Sequence, residues 1–155
     1  MSESARPGRR YFLHVLGAGA GRGAMSLCGL AACSGGGGAT GLIDAGNVSD
    51  LQVGTISVVS GQSVAIARDD GGLYAMTLLC PHDLCDMEVD GTVSSDGIVC
   101  TCHGSEFDPN GTVTKGPANT NLEHYEVTVD SAGAITINAD KVVDAATRTA
   151  VPTPA

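Results

Sequence analysis

The chain has 155 residues and carries 17 acidic against 8 basic side chains, a formal net charge of −9. This length suffices for one small domain, and the acidic balance argues against nucleic acid as a partner because phosphate binding requires a basic surface. Six cysteines, no tryptophan and only 3% aromatic residues predict a core that relies on covalent or metal cross-links.

Residues 1–32 are interpreted as an export signal. Arg9 and Arg10 precede an apolar Y-F-L and so resemble the twin-arginine motif, and a Gly- and Ala-rich stretch follows. The tetrapeptide L-A-A-C ending at Cys33 resembles a bacterial lipobox, which would make Cys33 the lipidated first residue of the mature protein. An uncleaved membrane anchor is the alternative, but Arg22 would place a charge at mid-membrane, which costs about 2.5–3.5 kcal/mol. We therefore expect a lipid-anchored protein on the periplasmic side of a bacterial membrane.

Removal of this signal makes the chain more acidic. Four basic residues then remain against sixteen acidic ones. Complementary charge accelerates encounter, so a basic partner such as a small cytochrome is compatible, although the solubility of an exported protein explains the charge equally well. Residues 33–40, rich in glycine, are predicted to form a flexible tether.

From about residue 41 short segments alternate apolar and polar residues between Gly, Asn and Asp turns. This pattern predicts strands at 55–59, 63–67, 73–79, 125–129 and 134–138, with hairpin turns at 69–72 and 130–133. No segment shows a sustained helical period. The sequence therefore predicts an all-β domain over 41–140, followed by a tail over 141–155 without regular structure.

Two segments concentrate the soft metal ligands. C-P-H-D-L-C spans residues 80–85, and C-T-C-H spans residues 100–103. Each segment offers one Cys–His pair and one additional Cys, which makes Cys80, His82, Cys100 and His103 candidate ligands of a metal centre. Neighbouring side chains of a straight strand point to opposite faces, so either the chain turns sharply at 100–103 or one cysteine of this segment has another role.

Both segments resemble the motifs of the Rieske iron–sulfur family, in its disulfide-bearing branch. The similarity continues through Gly104-Ser105 and Phe107-Asp108 to Gly116-Pro117-Ala118, which resembles the proline loop of that family. The resemblance implies an all-β fold of antiparallel sheets, in which a small cluster-binding subdomain of about residues 79–119 is inserted in a β base domain.

The same resemblance implies a cofactor and its ligands. One Rieske-type [2Fe–2S] cluster per chain would take Cys80 and Cys100 on one iron and His82 and His103 on the other. Cys85 and Cys102 would form a disulfide between the two segments. Disulfides persist in the periplasm, which agrees with the export signal.

Three further residues are expected to tune the cluster. Ser105 corresponds to a serine that donates to a bridging sulfide, and Phe107 stands where high-potential members often carry a tyrosine. Asp83 and Leu84 replace a Leu-Gly pair that is typical of quinol-oxidising members. An acid beside His82 disfavours both the arrival of an electron and an apolar quinone-docking surface, which argues against a quinol-oxidising role.

Several other functions are weighed against electron transfer. A zinc-stabilised exported binding module without redox activity is the alternative, although zinc leaves the two additional cysteines unexplained. A Rieske oxygenase needs a second iron held by two histidines and a carboxylate, whereas His124 is the one histidine left outside the signal and the ligand set. We therefore expect an electron-transfer component of a quinol–cytochrome complex or of an arsenite oxidase-like enzyme, rather than a stand-alone catalyst. Its partner would be a c-type cytochrome, a cytochrome b or a molybdenum oxidoreductase subunit.

Overall fold

The computed structural model of the protein describes residues 37–152. The export signal, Cys33 and the first half of the predicted tether lie outside the described residues. The described chain forms strands and a short 3₁₀ turn at Val48–Asp50; the strands are β1 Leu42–Asn47, β2 Thr55–Val59, β3 Val64–Asp69, β4 Gly72–Thr77, β5 Gly91–Ser94, β6 Gly97–Cys100, β7 Glu106–Phe107, β8 Val113–Lys115, β9 His124–Val129 and β10 Ala134–Val143. Among residues 37–152, no helix is long and apolar enough to cross a membrane.

The strands form two antiparallel sheets. The larger sheet has the order β1-β10-β9-β4-β3-β2, and the smaller sheet has the order β5-β6-β7-β8. All four strands of the smaller sheet lie in sequence between β4 and β9, which are themselves hydrogen-bonded neighbours in the larger sheet. The expected class, an all-β fold of antiparallel sheets with an inserted smaller part, is confirmed.

The strands β3 and β4 are buried on both faces and divide two apolar cores. Alternate side chains point to opposite faces of a strand, so successive residues of β3 and β4 enter different cores. One core contains Ala65, Ala67, Tyr74 and Met76 together with Cys80, Cys100 and Phe107. The other core is formed by strands of the larger sheet and contains Val64, Ile66, Leu73, Ala75, Val127, Ile135 and Ile137. The two free cysteines are thus part of a packed core rather than of a surface loop.

The five strands predicted from alternation are present, with ends shifted by a few residues.

The tail prediction is wrong for the described residues, because β10 runs to Val143 and the chain then folds back on β4. Thr149 exchanges two backbone hydrogen bonds with Leu73, at 2.9 and 2.8 Å. A Cβ atom at Gly72, whose φ is +133°, would lie 2.3 Å from the Thr149 carbonyl oxygen. Glycine at this position therefore permits the close approach of the returning segment.

Arg148 fixes this returning segment to the base. Its Nε donates to Asp69 Oδ2 at 2.7 Å, and its guanidinium lies 3.8 Å from the centroid of the Tyr74 ring. The Tyr74 ring also stacks on His124, with 5.8 Å between ring centroids. Sequence patterns did not predict the docking of this segment, because it depends on Arg148 and on the β-bridge between Leu73 and Thr149, which lie more than seventy residues apart.

His124 is a buried histidine of the fold rather than a surface residue. Its side chain is 2% exposed, Nε2–H donates to the Asn110 carbonyl oxygen at 3.0 Å, and Nδ1 has no hydrogen-bond partner within residues 37–152. Burial lowers the pKa of His124 below its usual value, because a charged imidazolium here would lose its hydration. The neutral ring is therefore the form that the folded protein accommodates.

This burial makes stability depend on pH. The unfolded chain binds a proton at His124 near pH 6.5 and the folded chain only at lower pH, so the free energy of unfolding should fall as pH decreases below about 6.5. One proton limits the slope to about 1.4 kcal/mol per pH unit. His124→Phe should remove this component while keeping the stack on Tyr74. Denaturant unfolding of both proteins between about pH 5 and 7.5 measures it, and parallel pH profiles would contradict the assignment.

Candidate metal centre

The two cysteine- and histidine-bearing segments form loops with the same hydrogen-bond closure. In the first loop, Cys80 N–H donates to the carbonyl of Cys85 at 2.9 Å, and Leu84 N–H donates to the carbonyl of Cys80 at 2.8 Å. In the second loop, Cys100 N–H donates to the carbonyl of Ser105 and Gly104 N–H donates to the carbonyl of Cys100, both at 2.9 Å. Each cysteine thus begins a tight turn that closes four and five residues later.

The equivalent positions Leu84 and Gly104 both have left-handed backbone, with φ of +52° and +81°. Glycine adopts this conformation without steric penalty, whereas leucine does so rarely. A Cβ atom at Gly104 would meet no atom of the described residues within 4 Å. The left-handed backbone, rather than a lack of space, therefore favours glycine at this position. The first loop adopts the same turn despite carrying a leucine.

The closure separates the thiols from the imidazoles. Cys80 and Cys100 are 1% and 0% exposed, whereas His82 and His103 lie at the surface. The two imidazole rings approach each other edge to face with 4.8 Å between centroids. The four predicted donors are therefore brought into one region, with sulfur on the inside and nitrogen on the outside.

A disulfide joins the two loops through Cys85 and Cys102, whose Cα atoms are 6.6 Å apart. This is the pairing that the resemblance implied. The sulfur atoms of Cys85, Cys100 and Cys102 lie within 4.8 Å of one another. Two of these sulfurs are bonded together and cannot act as thiolate ligands, so the three do not form a metal site by themselves.

The donor set fits a cluster with thiolate ligands on one side and imidazole ligands on the other. Cys80 and Cys100 are the free cysteines of the described chain. Burial raises the pKa of the Cys100 thiol, and its hydrogen bond with Cys80 adds to the effect. Thiols bind metals as thiolates, so metal binding would be coupled to proton release. Buried free thiols with neighbouring exposed imidazoles match the asymmetry of a two-cysteine, two-histidine cluster.

Ser105 connects the second loop to the segment after β8. Its side chain is fully buried, and its Oγ accepts a hydrogen bond from Ala118 N–H at 2.9 Å. Within the described chain the Ser105 hydroxyl proton has no protein acceptor. That proton remains available to an acceptor beside the buried cysteines.

The other two predicted tuning residues lie in different environments. Phe107 is 3% exposed and belongs to the apolar core that contains both free cysteines. Asp83 is exposed on the first loop, between His82 and Leu84. The structure thus places a buried ring near the sulfur side and a carboxylate near the nitrogen side.

Sequence reasoning missed the residues that hold the first loop on the larger sheet. Glu88 accepts hydrogen bonds from Gly61 N–H at 2.5 Å and from Ser63 N–H at 2.9 Å. The Asp86 carboxylate accepts from the Ser63 hydroxyl at 2.7 Å. The signal available in the sequence was the pair of acids directly after Cys85, which read there only as part of the net charge.

Comparison with known proteins identifies the family of the chain. The Rieske [2Fe-2S] domain model matches residues 42–126. A cytochrome b6-f complex iron-sulfur subunit of Prochlorococcus marinus (strain MIT 9515) is 30% identical over 145 residues, covering 79% of this chain and 80% of that protein. The corresponding subunit of Chlorobaculum tepidum is 30% identical over 87 residues, covering 55% of this chain and 47% of that protein.

A solved structure shows the same fold. The cyanobacterial plasma membrane Rieske protein PetC3 from Synechocystis PCC 6803 superposes with a TM-score of 0.50 at 27% identity, covering 63% of this chain and 99% of that chain. The match to the family model, over residues 42–126, contains both loops.

Proposed function

Since the chain belongs to the Rieske [2Fe–2S] family, we propose that it transfers single electrons on the periplasmic side of a bacterial membrane, as a subunit or partner of a respiratory-type oxidoreductase. The observation that supports this proposal is the pair of loops in which a buried thiol is followed, two or three residues later, by an exposed imidazole. Such an arrangement holds a redox centre on the protein side and exposes one edge of it to a partner.

The cofactor of this family is one Rieske-type [2Fe–2S] cluster. We assign Cys80 and Cys100 to its inner iron and His82 and His103 to its outer iron, following the burial of the thiols and the exposure of the imidazoles. When bound, the cluster supplies one-electron chemistry at a potential of about −150 to +300 mV, above that of clusters ligated by cysteine alone. This chemistry replaces the zinc interpretation weighed from the sequence.

The protein contributes exclusion of water and orientation. The apolar core around Cys80 and Cys100 keeps water from the sulfur side. The disulfide holds the two loops together, and closing such a loop stabilises a small domain by about 3 kcal/mol in the chain-entropy model. Of the four assigned ligands, His82 and His103 are the exposed ones, so we assign electron entry and exit to the imidazole side.

Two kinds of oxidoreductase complex are candidates for this subunit. The curated relatives are named as subunits of the cytochrome b6-f complex, which makes a cytochrome complex the first candidate. The exposed Asp83 carboxylate next to a ligand favours the second candidate, an electron relay to another periplasmic oxidoreductase similar to arsenite oxidase, because it opposes docking into an apolar quinone pocket. A c-type cytochrome, a cytochrome b or a molybdenum enzyme subunit is the proposed partner.

The first prediction concerns the cofactor. Protein matured in a host that assembles iron–sulfur clusters should contain two irons and two sulfides per chain, with the low average g value of histidine-ligated clusters. His82→Ala should lose this signal, whereas His124→Phe should keep it because His124 lies outside the donor set. Metal and sulfide analysis with electron paramagnetic resonance measures both, and stoichiometric zinc without sulfide would refute the proposal.

The second prediction concerns Ser105. Its free hydroxyl proton is proposed to donate to a cluster sulfide that becomes more negative on reduction, so the bond favours the reduced state. A hydrogen bond to a charged group contributes about 1.5–3 kcal/mol, which converts to roughly 60–130 mV for one electron. Only the difference in bond strength between the two oxidation states enters the potential, so Ser105→Ala should lower the potential measured by voltammetry at fixed pH by up to that amount. An unchanged potential at full cluster content would exclude this role.

The same voltammetry tests the other tuning residues. Phe107→Tyr should raise the potential if the new hydroxyl reaches a cysteine sulfur, and Asp83→Leu should raise it by removing a nearby negative charge, more at low than at high ionic strength. Ser95→Ala is the matched control, because Ser95 is exposed in the β5–β6 turn at the far end of β6 from Cys100. If Ser95→Ala shifts the reduction potential as much as the other variants do, the shifts are not specific to residues near the cluster.

The third prediction concerns localisation, and we propose residues 1–32 as the signal and residues 33–40 as the tether. Changing both Arg9 and Arg10 to lysine should block export, and Cys33→Ala should abolish incorporation of a labelled fatty acid. Cys28→Ala is the matched control, since Cys28 lies within the proposed signal. Labelling that survives Cys33→Ala would refute the lipid anchor, and fractionation of the cells measures export.

A further inference from the structure

A groove of about 460 Å³ opens beside the first loop. Its lining includes Leu79, Pro81 and Leu84 from in and around the first loop, and Leu122 and Glu123 from the segment directly before β9. Leu122 is buried in the core that contains the free cysteines. His82 lies in the chain between two of the lining residues, so the groove adjoins the exposed imidazole edge.

Leu84 is the unusual residue of this groove. Its position is equivalent to Gly104 of the second loop, since both residues have left-handed backbone and each N–H donates to the carbonyl of the cysteine four residues earlier. Leucine is disfavoured in this conformation. The side chain is 62% exposed and belongs to neither apolar core, so packing within the described chain does not compensate for the strain. Strained residues of this kind concentrate at ligand clamps and other functional sites.

The rim of the groove is acidic. Glu123 lines it and is exposed, and Asp83 is exposed on the loop directly before Leu84. Every basic side chain of the described residues has a polar partner elsewhere: Lys115 pairs with Glu106, Lys141 with Glu126 and Arg148 with Asp69, while Arg68 donates to the carbonyls of Val48 and Leu51. The acids at the rim are therefore not neutralised within the described chain.

We propose that this groove is the docking site of a basic electron-transfer protein. An apolar side chain of the partner packs between Leu84 and Leu122, and lysines or arginines around it face Glu123 and Asp83. This arrangement of an apolar centre and a charged rim is typical of specific interfaces, in which rim charges set the encounter rate and the centre sets the lifetime. The inference rests on the proposed function, because docking here brings the partner beside His82.

Two measurements with a basic c-type cytochrome as the probe test this proposal. In stopped flow, one electron leaves each reduced holoprotein and one ferric haem becomes ferrous. In titration calorimetry, the oxidised holoprotein binds the ferric cytochrome without reaction. An acidic c-type cytochrome serves as the control probe, and a small neutral mediator measures redox competence without docking.

Glu123→Gln should lower the second-order rate constant at low ionic strength by at least about threefold, and the difference should vanish at high salt. Asp70→Asn is the matched control, because Asp70 is an exposed acid in the β3–β4 turn, at the other end of β4 from the groove. If both changes lower the rate constant equally, the cytochrome responds only to the net charge of the protein, and the proposed docking site is wrong.

Leu84→Gly separates docking from folding. Glycine suits the left-handed turn, so the thermal midpoint should stay constant or rise, while the dissociation constant of the basic cytochrome should increase by about tenfold. An unchanged dissociation constant would overturn the proposal, as would equal affinity for the acidic cytochrome. Self-association of the wild type that Leu84→Gly abolishes would assign the groove to a second copy instead.

The mediator and the cytochrome together distinguish a wrong docking site from a wrong function. If the neutral mediator oxidises the reduced wild type but the groove variants bind the basic cytochrome as tightly as wild type does, only the docking site is wrong. If the mediator finds no transferable electron, the proposed function is wrong, and the calorimetric binding still decides the docking site independently.

Discussion

The structure depends on one constraint: each loop must pass from a fully buried thiol to an exposed imidazole within two or three residues. An extended strand cannot do this for both donors, because its side chains alternate between faces. The turn in which each cysteine donates to a carbonyl five residues later and accepts from an N–H four residues later meets the constraint. Both loops use it, although His82 follows its cysteine by two residues and His103 by three. The common closure therefore tolerates different ligand spacings while keeping sulfur inside and nitrogen outside.

The rest of the fold holds these two turns in place. The disulfide joins them directly, and Ser105 ties the second turn to Ala118. The first turn is held on the larger sheet by Asp86 and Glu88, whose carboxylates accept from the β2–β3 connection. Below them, β3 and β4 supply one face to the core around the cysteines and the other face to the base. Burial of the thiols is thus a property of the whole packing arrangement and not of the loops alone.

The donors and the long strands were predictable from the sequence because their signals are local. Cys and His at fixed spacing select a metal chemistry, and alternation over five or six residues marks strands such as β2 and β9. The strands of the smaller sheet span only two to four residues and were not singled out. The returning C-terminal segment was misread, since its order comes from Arg148 and Thr149 meeting distant residues. The left-handed conformation of Leu84 was also hidden, because leucine gives no indication of it; only the equivalence with Gly104 shows it.

The insertion of the smaller sheet between β4 and β9 has a consequence for the insertions that the fold accepts. The two strands are paired at Met76 and His124, and Thr77 N–H donates to the Glu123 carbonyl at 2.9 Å, so the inserted part leaves and re-enters the base at adjacent points. Paired residues of antiparallel strands lie about 5 Å apart, a gap that a short hairpin turn spans. The base therefore fixes the two ends of the inserted part close together, and β3 and β4 constrain only the face of it that packs in the shared core. Insertions in the loops that face away from this core should therefore leave the pairing of β4 and β9 intact.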